Sequence, residues 1–350
     1  MKNRSSLRLF APLAGGLALT ATLGLGSLAH AQDKDTVKKE VAPEELRKKT
    51  VQADVDDKGW QYGLKLGASA SFQHNSGVMG QVDGMNFTFG LNLDGHLYYV
   101  SKVHQWENEL KLVNGWTKTP TLDAFVKNAD GLDLSSLYMF RIQSVPWLGP
   151  YARFRLSTPL FNGYDVRPDD TTYVLTHRDG TTETHSVPGQ QEERLTSSGE
   201  PLLLVESVGL FANPVEGKTL TVKLKLGVGA QHTLTGDGYA INDDKDTPEV
   251  ELKQLETIHQ GGAEFEVALN GAIGEPVTWN AKANFFLPFI ASSGDTGFAA
   301  MSTDISGGLS VKLASWASLD YVLSAKRIPS ITPDWQIQNG LLFTSGFNLL

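Results

Sequence analysis

The sequence predicts an all-β fold: a closed, antiparallel, up-and-down transmembrane β-barrel of about twelve strands. Three observations carry that expectation. Apolar and polar side chains alternate with period two over long segments, the connections alternate between short and long, and tryptophans fall at strand ends. A membrane-crossing strand needs about nine to eleven residues, whereas a soluble one is typically about five or six.

The first segment shows the pattern most plainly. Trp60, Tyr62, Leu64, Leu66, Ala68, Ala70 and Phe72 alternate with Gln61, Gly63, Lys65, Gly67, Ser69 and Ser71, which is strand periodicity sustained beyond soluble length. Next, Phe87, Phe89, Leu91, Leu93, Leu97 and Tyr99 alternate with Thr88, Gly90, Asn92, Asp94, His96 and Tyr98. In the third segment Trp106, Leu110, Leu112 and Trp116 alternate with Gln105, Glu107, Glu109 and Lys111. Similar segments lie near 132–143, 151–160, 202–211, 220–233, 258–270, 277–289, 304–313, 319–326 and 336–350. Together they make about twelve, an even number, as single-chain bacterial barrels require.

The connections sort by length. Short turns are expected near 101–102, 146–150, 213–217, 274–276 and 315, and longer loops at 73–86, 118–131, 162–200, 236–257, 288–303 and 327–334. With both termini periplasmic, every short turn falls on one side, as in outer-membrane barrels. Trp60, Trp106, Trp147, Trp279 and Trp316 then form an aromatic girdle at the periplasmic ends, with Trp116 and Trp335 at the other rim. Leu341, Phe343, Phe347 and Leu349 share one face of the last segment. Such a strand is expected to engage the barrel-insertion machinery and to pair with the first strand, leaving no sheet edge.

The N-terminus reads as an export signal. Lys2, Arg4 and Arg8 precede an apolar stretch over 9–28 and the small-residue exit Ala29-His30-Ala31, so residues 1–31 are expected to be a signal peptide cleaved before Gln32. Residues 32–58, with Lys38-Lys39-Glu40 among them, read as a charged, flexible periplasmic extension. The barrel domain is placed at 59–350, and the location predicted is the outer membrane, with membrane lipids and lipopolysaccharide as surroundings.

Composition narrows the function classes. The chain has 30 Lys+Arg, 39 Asp+Glu and a net charge of −9, which becomes −12 without the three signal-peptide cations. An acidic chain lacking a basic stripe is a poor partner for nucleic acid. There is no cysteine, hence neither a disulfide framework nor a thiolate metal site. After residue 31 no run of 18 or more apolar residues occurs, so no spanning helix is expected. Nothing in the sequence calls for a cofactor.

If the apolar set faces lipid, the alternate set faces a lumen. Its charged members are Glu107, Glu109 and Lys111, Asp133 and Arg141, Arg153 and Arg155, Glu206, Lys223 and Lys225, Glu264 and Glu266, Lys282, then Asp304 with Lys312 and Asp320 with Lys326. Acidic and basic residues follow one another from strand to strand, and opposed charges on paired strands stabilise each other. Two readings stay open. The charges form a structural ladder that fills the interior, or they form an eyelet opposing Arg153, Arg155, Lys223 and Lys225 to Glu107, Glu109, Glu264 and Glu266, with a transverse field for polar solutes. The first function expected is a passive channel or transporter for small polar solutes. The alternative is a non-conducting structural or adhesive barrel that presents its extracellular loops.

Other motifs add little. His96, on an inward face, and His259, outward, stand apart from any serine nucleophile, and His177 and His185 fall in the longest loop. An outer-membrane lipid hydrolase is therefore a distant third reading. The stretch 242–249 is rich in calcium-type oxygen ligands but lacks the spacing and central glycine of a dedicated calcium loop. Residues 171–177 and 181–187, joined by Arg178-Asp179-Gly180, read as an extracellular hairpin with an Asp-Gly turn.

From 59 to about 164 the chain resembles an uncharacterised family of bacterial outer-membrane proteins known as a domain of unknown function. The resemblance rests on the Trp60 strand, on Trp106-Glu107-Asn108-Glu109-Leu110-Lys111-Leu112 with Gly115 after it, and on Leu132-Asp133-Leu134-Ser135-Ser136-Leu137-Tyr138. It covers roughly a third of the chain. It implies an outer-membrane barrel and assigns no activity and no site.

Overall fold

A computed structural model describes residues 59–76, 84–244, 246–314 and 316–348. The signal, the 32–58 extension and Leu349 lie outside these residues. In chain order the strands are β1 (Gly59–Asn75), β2 (Gly84–Val100), β3 (His104–Lys118), β4 (Val126–Phe140), β5 (Leu148–Thr158), β6 (Gly163–Val166), β7 (Thr171–Thr176), β8 (Thr182–Val187), β9 (Glu192–Thr196), β10 (Leu202–Glu216), β11 (Thr221–Leu234), β12 (Tyr239–Ile241), β13 (Val250–Gln254), β14 (Ile258–Ile273), β15 (Val277–Ala291), β16 (Ser302–Ala314), β17 (Ala317–Ile328) and β18 (Thr332–Asn348).

Twelve of these form one closed antiparallel barrel: β1 to β5, β10, β11 and β14 to β18. Each barrel strand pairs with its neighbour in the chain, and β1 closes the ring on β18 through Lys65↔Asn348 to Ala70↔Phe343. Closure satisfies the backbone groups that an open sheet would leave at its edges. The barrel strands run from 11 to 17 residues, long enough for a tilted strand to cross a hydrocarbon layer.

The register confirms the alternation strand by strand. Tyr99↔Trp106, Leu66↔Leu93, Leu110↔Leu134, Leu226↔Phe265 and Leu309↔Tyr321 place apolar residues side by side on the outside. Outward Leu226 is 63% exposed and Val208 56%, whereas inward Glu266 is 2% exposed. A surface this apolar around a polar interior is what a hydrocarbon solvent demands and what water penalises.

Two differences from the expected layout concern the interior and one loop. Near the short-turn end the inward set is partly apolar: Leu137, Met139, Tyr151 and Phe211 pack together, and Tyr98 packs on Val100. The lumen there is filled by side chains and not lined only by charge. The loop expected at 327–334 shrinks to residues 329–331, because β17 and β18 continue their pairing as far as Ile328↔Thr332. The other long connections remain at the end opposite the short turns.

The two longest loops are themselves folded. The predicted hairpin forms as β7 and β8 with Thr171↔Val187 at its open end, and Gly180 takes a φ of 81° in its turn, a conformation that glycine adopts without strain. It does not project alone. β13 from the following loop pairs in parallel with β7, giving a four-stranded sheet β12-β13-β7-β8, while β6 pairs with β9 beside it. Tyr173, Leu175, Val250 and Leu252 form its core, with Val187, Leu195, Tyr239 and Ile241 against them. The long-loop end of the barrel thus carries a small β-subdomain with its own apolar interior.

Candidate functional site: a charged network inside the barrel

The alternation sets which side chains point inward, and the register sets which of them meet. Lys225 on β11 lies directly opposite Glu266 on β14, and Lys282 on β15 sits one pair along, opposite Ala268. Glu266 Oε1 accepts from Lys225 Nζ at 2.7 Å, and Glu266 Oε2 lies 3.0 Å from Lys282 Nζ. The third cation comes from farther off. Arg153 on β5 donates through Nη1 to Glu266 Oε2 at 2.8 Å and pairs through Nη2 with Glu264.

Strands lie about 4.8 Å apart, so from β5 to β14 is about 14 Å along the wall. Arg153 crosses that distance because the residues beneath it are small: it lies opposite Ser207 on β10, which lies opposite Gly229 on β11. One layer toward the short turns the same device recurs. Tyr151 lies opposite Gly209, Gly209 opposite Gly227, and a Cβ at Gly227 would come within 2.6 Å of the Tyr151 hydroxyl. β10 and β11 form a thin stretch of wall over which β5 side chains reach.

Three cations on one buried carboxylate supply the attraction that offsets the cost of removing these charges from water. The side chains of Arg153, Glu264, Glu266 and Lys225 are at most 10% exposed, so this cluster braces the interior. A second group is reachable. Arg155 Nη2 lies 2.9 Å from Asp133 Oδ1 and Lys111 Nζ 3.7 Å from Glu109 Oε2, with these side chains and that of Lys282 between 18% and 30% exposed. Tyr98 donates to Glu109 at 2.9 Å, and Gln105 Nε2 donates to Glu107 at 2.6 Å. Arg141, just beyond β4, donates to Gln105 at 2.9 Å and to Glu216 at 3.3 Å at the short-turn rim. Lys223 is inward, opposite Ala268.

Of the residues expected in the lumen, Glu206 is corrected. It lies opposite Phe154 on β5 and Ala230 on β11, both outward positions, and its carboxylate is 3.4 Å from His232 Nε2. Its strand begins Leu202-Leu203-Leu204-Val205, so both phases are apolar and the phase cannot be read locally. The expected eyelet is also rearranged. Arg153 and Lys225 bind Glu264 and Glu266 directly, on the same stretch of wall. Tyr98 stands on the inward phase expected for it, whereas inward Met139, Tyr151 and Phe211 were missed, although their bulk at polar-phase positions marks a constriction.

All five girdle tryptophans stand at the short-turn end. Trp60, Trp106, Trp147 and Trp316 are exposed, Trp60 and Trp106 flank Tyr99 across three strands, and Trp279 is the third residue of β15. Trp106 Nε1 donates to Ser136 at 2.9 Å. In the subdomain Tyr173 donates to Asp165 at 3.0 Å, and burial together with the Asp165 charge pushes its phenol well above the ordinary tyrosine range.

These features define the class: a closed twelve-stranded barrel of the outer-membrane type, with a charge-braced interior. Residues 80–164 match a family described as a protein of unknown function, DUF3078. No curated protein matches the sequence. Among solved structures the chain is similar to an outer-membrane channel from Pseudomonas putida F1, with 11% identity over 89% of this chain and 99% of that one and a TM-score of 0.39. It is similar to the translocator domain of autotransporter NalP from Neisseria meningitidis, at 8% identity over 84% and 90% of the two chains and a TM-score of 0.35. It is also similar to the β domain of the Bordetella autotransporter Brka, at 11% identity over 83% and 99% and a TM-score of 0.32.

Proposed function

We propose that the protein is a passive outer-membrane channel for small polar solutes, exported by residues 1–31 and placed in the membrane by the barrel-insertion machinery. The observation that carries this reading is the reachable inward set Glu109, Asp133, Lys111, Arg155 and Lys282 inside a closed barrel. Charges of both signs along the inner wall orient dipolar solutes and replace part of their hydration. Two acidic and three basic groups nearly balance, which gives weak selectivity between cations and anions. The Arg153 network narrows one side of the route and limits solute size. The reading involves no enzymatic step.

A second reading draws on the subdomain at the long-loop end. A separate apolar core in loops suits a surface module that meets other molecules, with the barrel as a non-conducting support. One experiment separates the two. The purified, folded chain in planar bilayers is expected to give small single-channel steps with a reversal potential close to zero in a salt gradient. A well-folded barrel that never conducts removes the channel reading and leaves the surface module.

A further inference from the structure

The outward face carries an ionisable cluster at the long-loop end. Glu206, His232 and His259 belong to the adjacent strands β10, β11 and β14, and His232 lies directly opposite His259 in the register. Their strand partners are outward apolar residues, Phe154 for Glu206 and Leu204 for His232. His232 stands two residues before the end of β11, and His259 is the second residue of β14. An ionisable group on the apolar exterior of a barrel costs free energy that ordinary packing does not return.

The two imidazoles meet ring nitrogen to ring nitrogen. His232 Nδ1 lies 2.9 Å from His259 Nδ1, with the rings 63° apart and their centroids separated by 5.0 Å. Two neutral imidazoles approach this closely when one nitrogen carries the proton and the other offers a lone pair. Glu206 Oε1, 3.4 Å from His232 Nε2, favours the proton of His232 on Nε2 and leaves its Nδ1 as the acceptor. A metal-ligating histidine characteristically gives its other ring N–H to a carboxylate, and Glu206 stands within ion-pair distance of that nitrogen.

We propose that His232 Nδ1 and His259 Nδ1 form a binding site for a borderline divalent transition-metal ion, copper or zinc, with Glu206 as the positioning residue for His232. A tetrahedral ion at about 2.0–2.1 Å from each nitrogen holds the two nitrogens about 3.3 Å apart. The pair needs to open by only a few tenths of an ångström, within the reach of side-chain rotation. On binding, His259 moves its proton from Nδ1 to Nε2, so two neutral imidazoles become ligands with no net change in bound protons. Water completes the coordination. Copper(II) binds most tightly of the first-row dications to imidazole sites, while calcium prefers oxygen ligands.

The test is a calorimetric titration of the folded full chain in detergent with copper(II), and with calcium as the control. Each variant is first checked for the heat-dependent gel shift of a closed barrel. The wild type is expected to take up one copper ion that the H232A/H259A double variant does not, with electron paramagnetic resonance showing two nitrogen ligands. E206Q keeps that stoichiometry and weakens affinity by about 10–100-fold. Where the alanine pair fails to close, H232F/H259F takes its place. Equal copper uptake by the wild type and the double variant, or tighter uptake of calcium, overturns the site. Unchanged affinity in E206Q overturns the role given to Glu206.

Discussion

Replacing Glu266 by leucine is expected to destabilise the folded barrel by about 3–5 kcal/mol, the cost of leaving buried charges without their partner. The carboxylate is 2% exposed and is shared by Arg153, Lys225 and Lys282, which come from three different strands. Its removal leaves three cations in a confined space without the carboxylate they share, and of the three only Arg153 pairs with Glu264 among the described residues. Urea-induced unfolding of the barrel in lipid vesicles measures the loss. Adding Lys225→Met to Glu266→Leu is expected to recover part of it, since the pair is coupled and a methionine needs no counter-charge. A Glu266→Leu variant as stable as the wild type contradicts the bracing role.

The second large effect lies on the opposite face. Leu226 is 63% exposed on the exterior, between Leu210 on β10 and Phe265 on β14. Its replacement by arginine is expected to cost about 2–4 kcal/mol if the site lies near the bilayer midplane. Replacement by phenylalanine is expected to cost little, because it preserves the apolar band. The same unfolding assay checks both. Equal stability of the two variants would mean that this face does not meet hydrocarbon.

Most of the barrel was legible because its information is local. The alternation Trp60, Tyr62, Leu64 and its counterparts reports which face each residue takes, and strand count and closure follow once neighbours pair in chain order. What escaped is non-local. β7 and β13 pair in parallel across 77 residues, as in Tyr173↔Val250, and neither segment alone announces the other. The reach of Arg153 to Glu266 depends on Ser207 and Gly229 being small on two intervening strands. Glu206 was misplaced because a charge amid apolar neighbours is assigned inward by default. Its outward partner His232 becomes visible only through the register. Charge type was therefore readable in advance, whereas charge partnership required the pairing.

The chain has no cysteine, so single cysteines placed one at a time along residues 222–231 of β11 report each position without interference. In lipid vesicles, thiol-attached fluorophores at Val222, Leu224, Leu226, Val228 and Ala230 are expected to be quenched by brominated acyl chains, and those at the inward positions Lys223 and Gln231 to escape quenching. Quenching that follows this parity matches an apolar exterior around a polar interior. Uniform quenching, or none at any position, contradicts it.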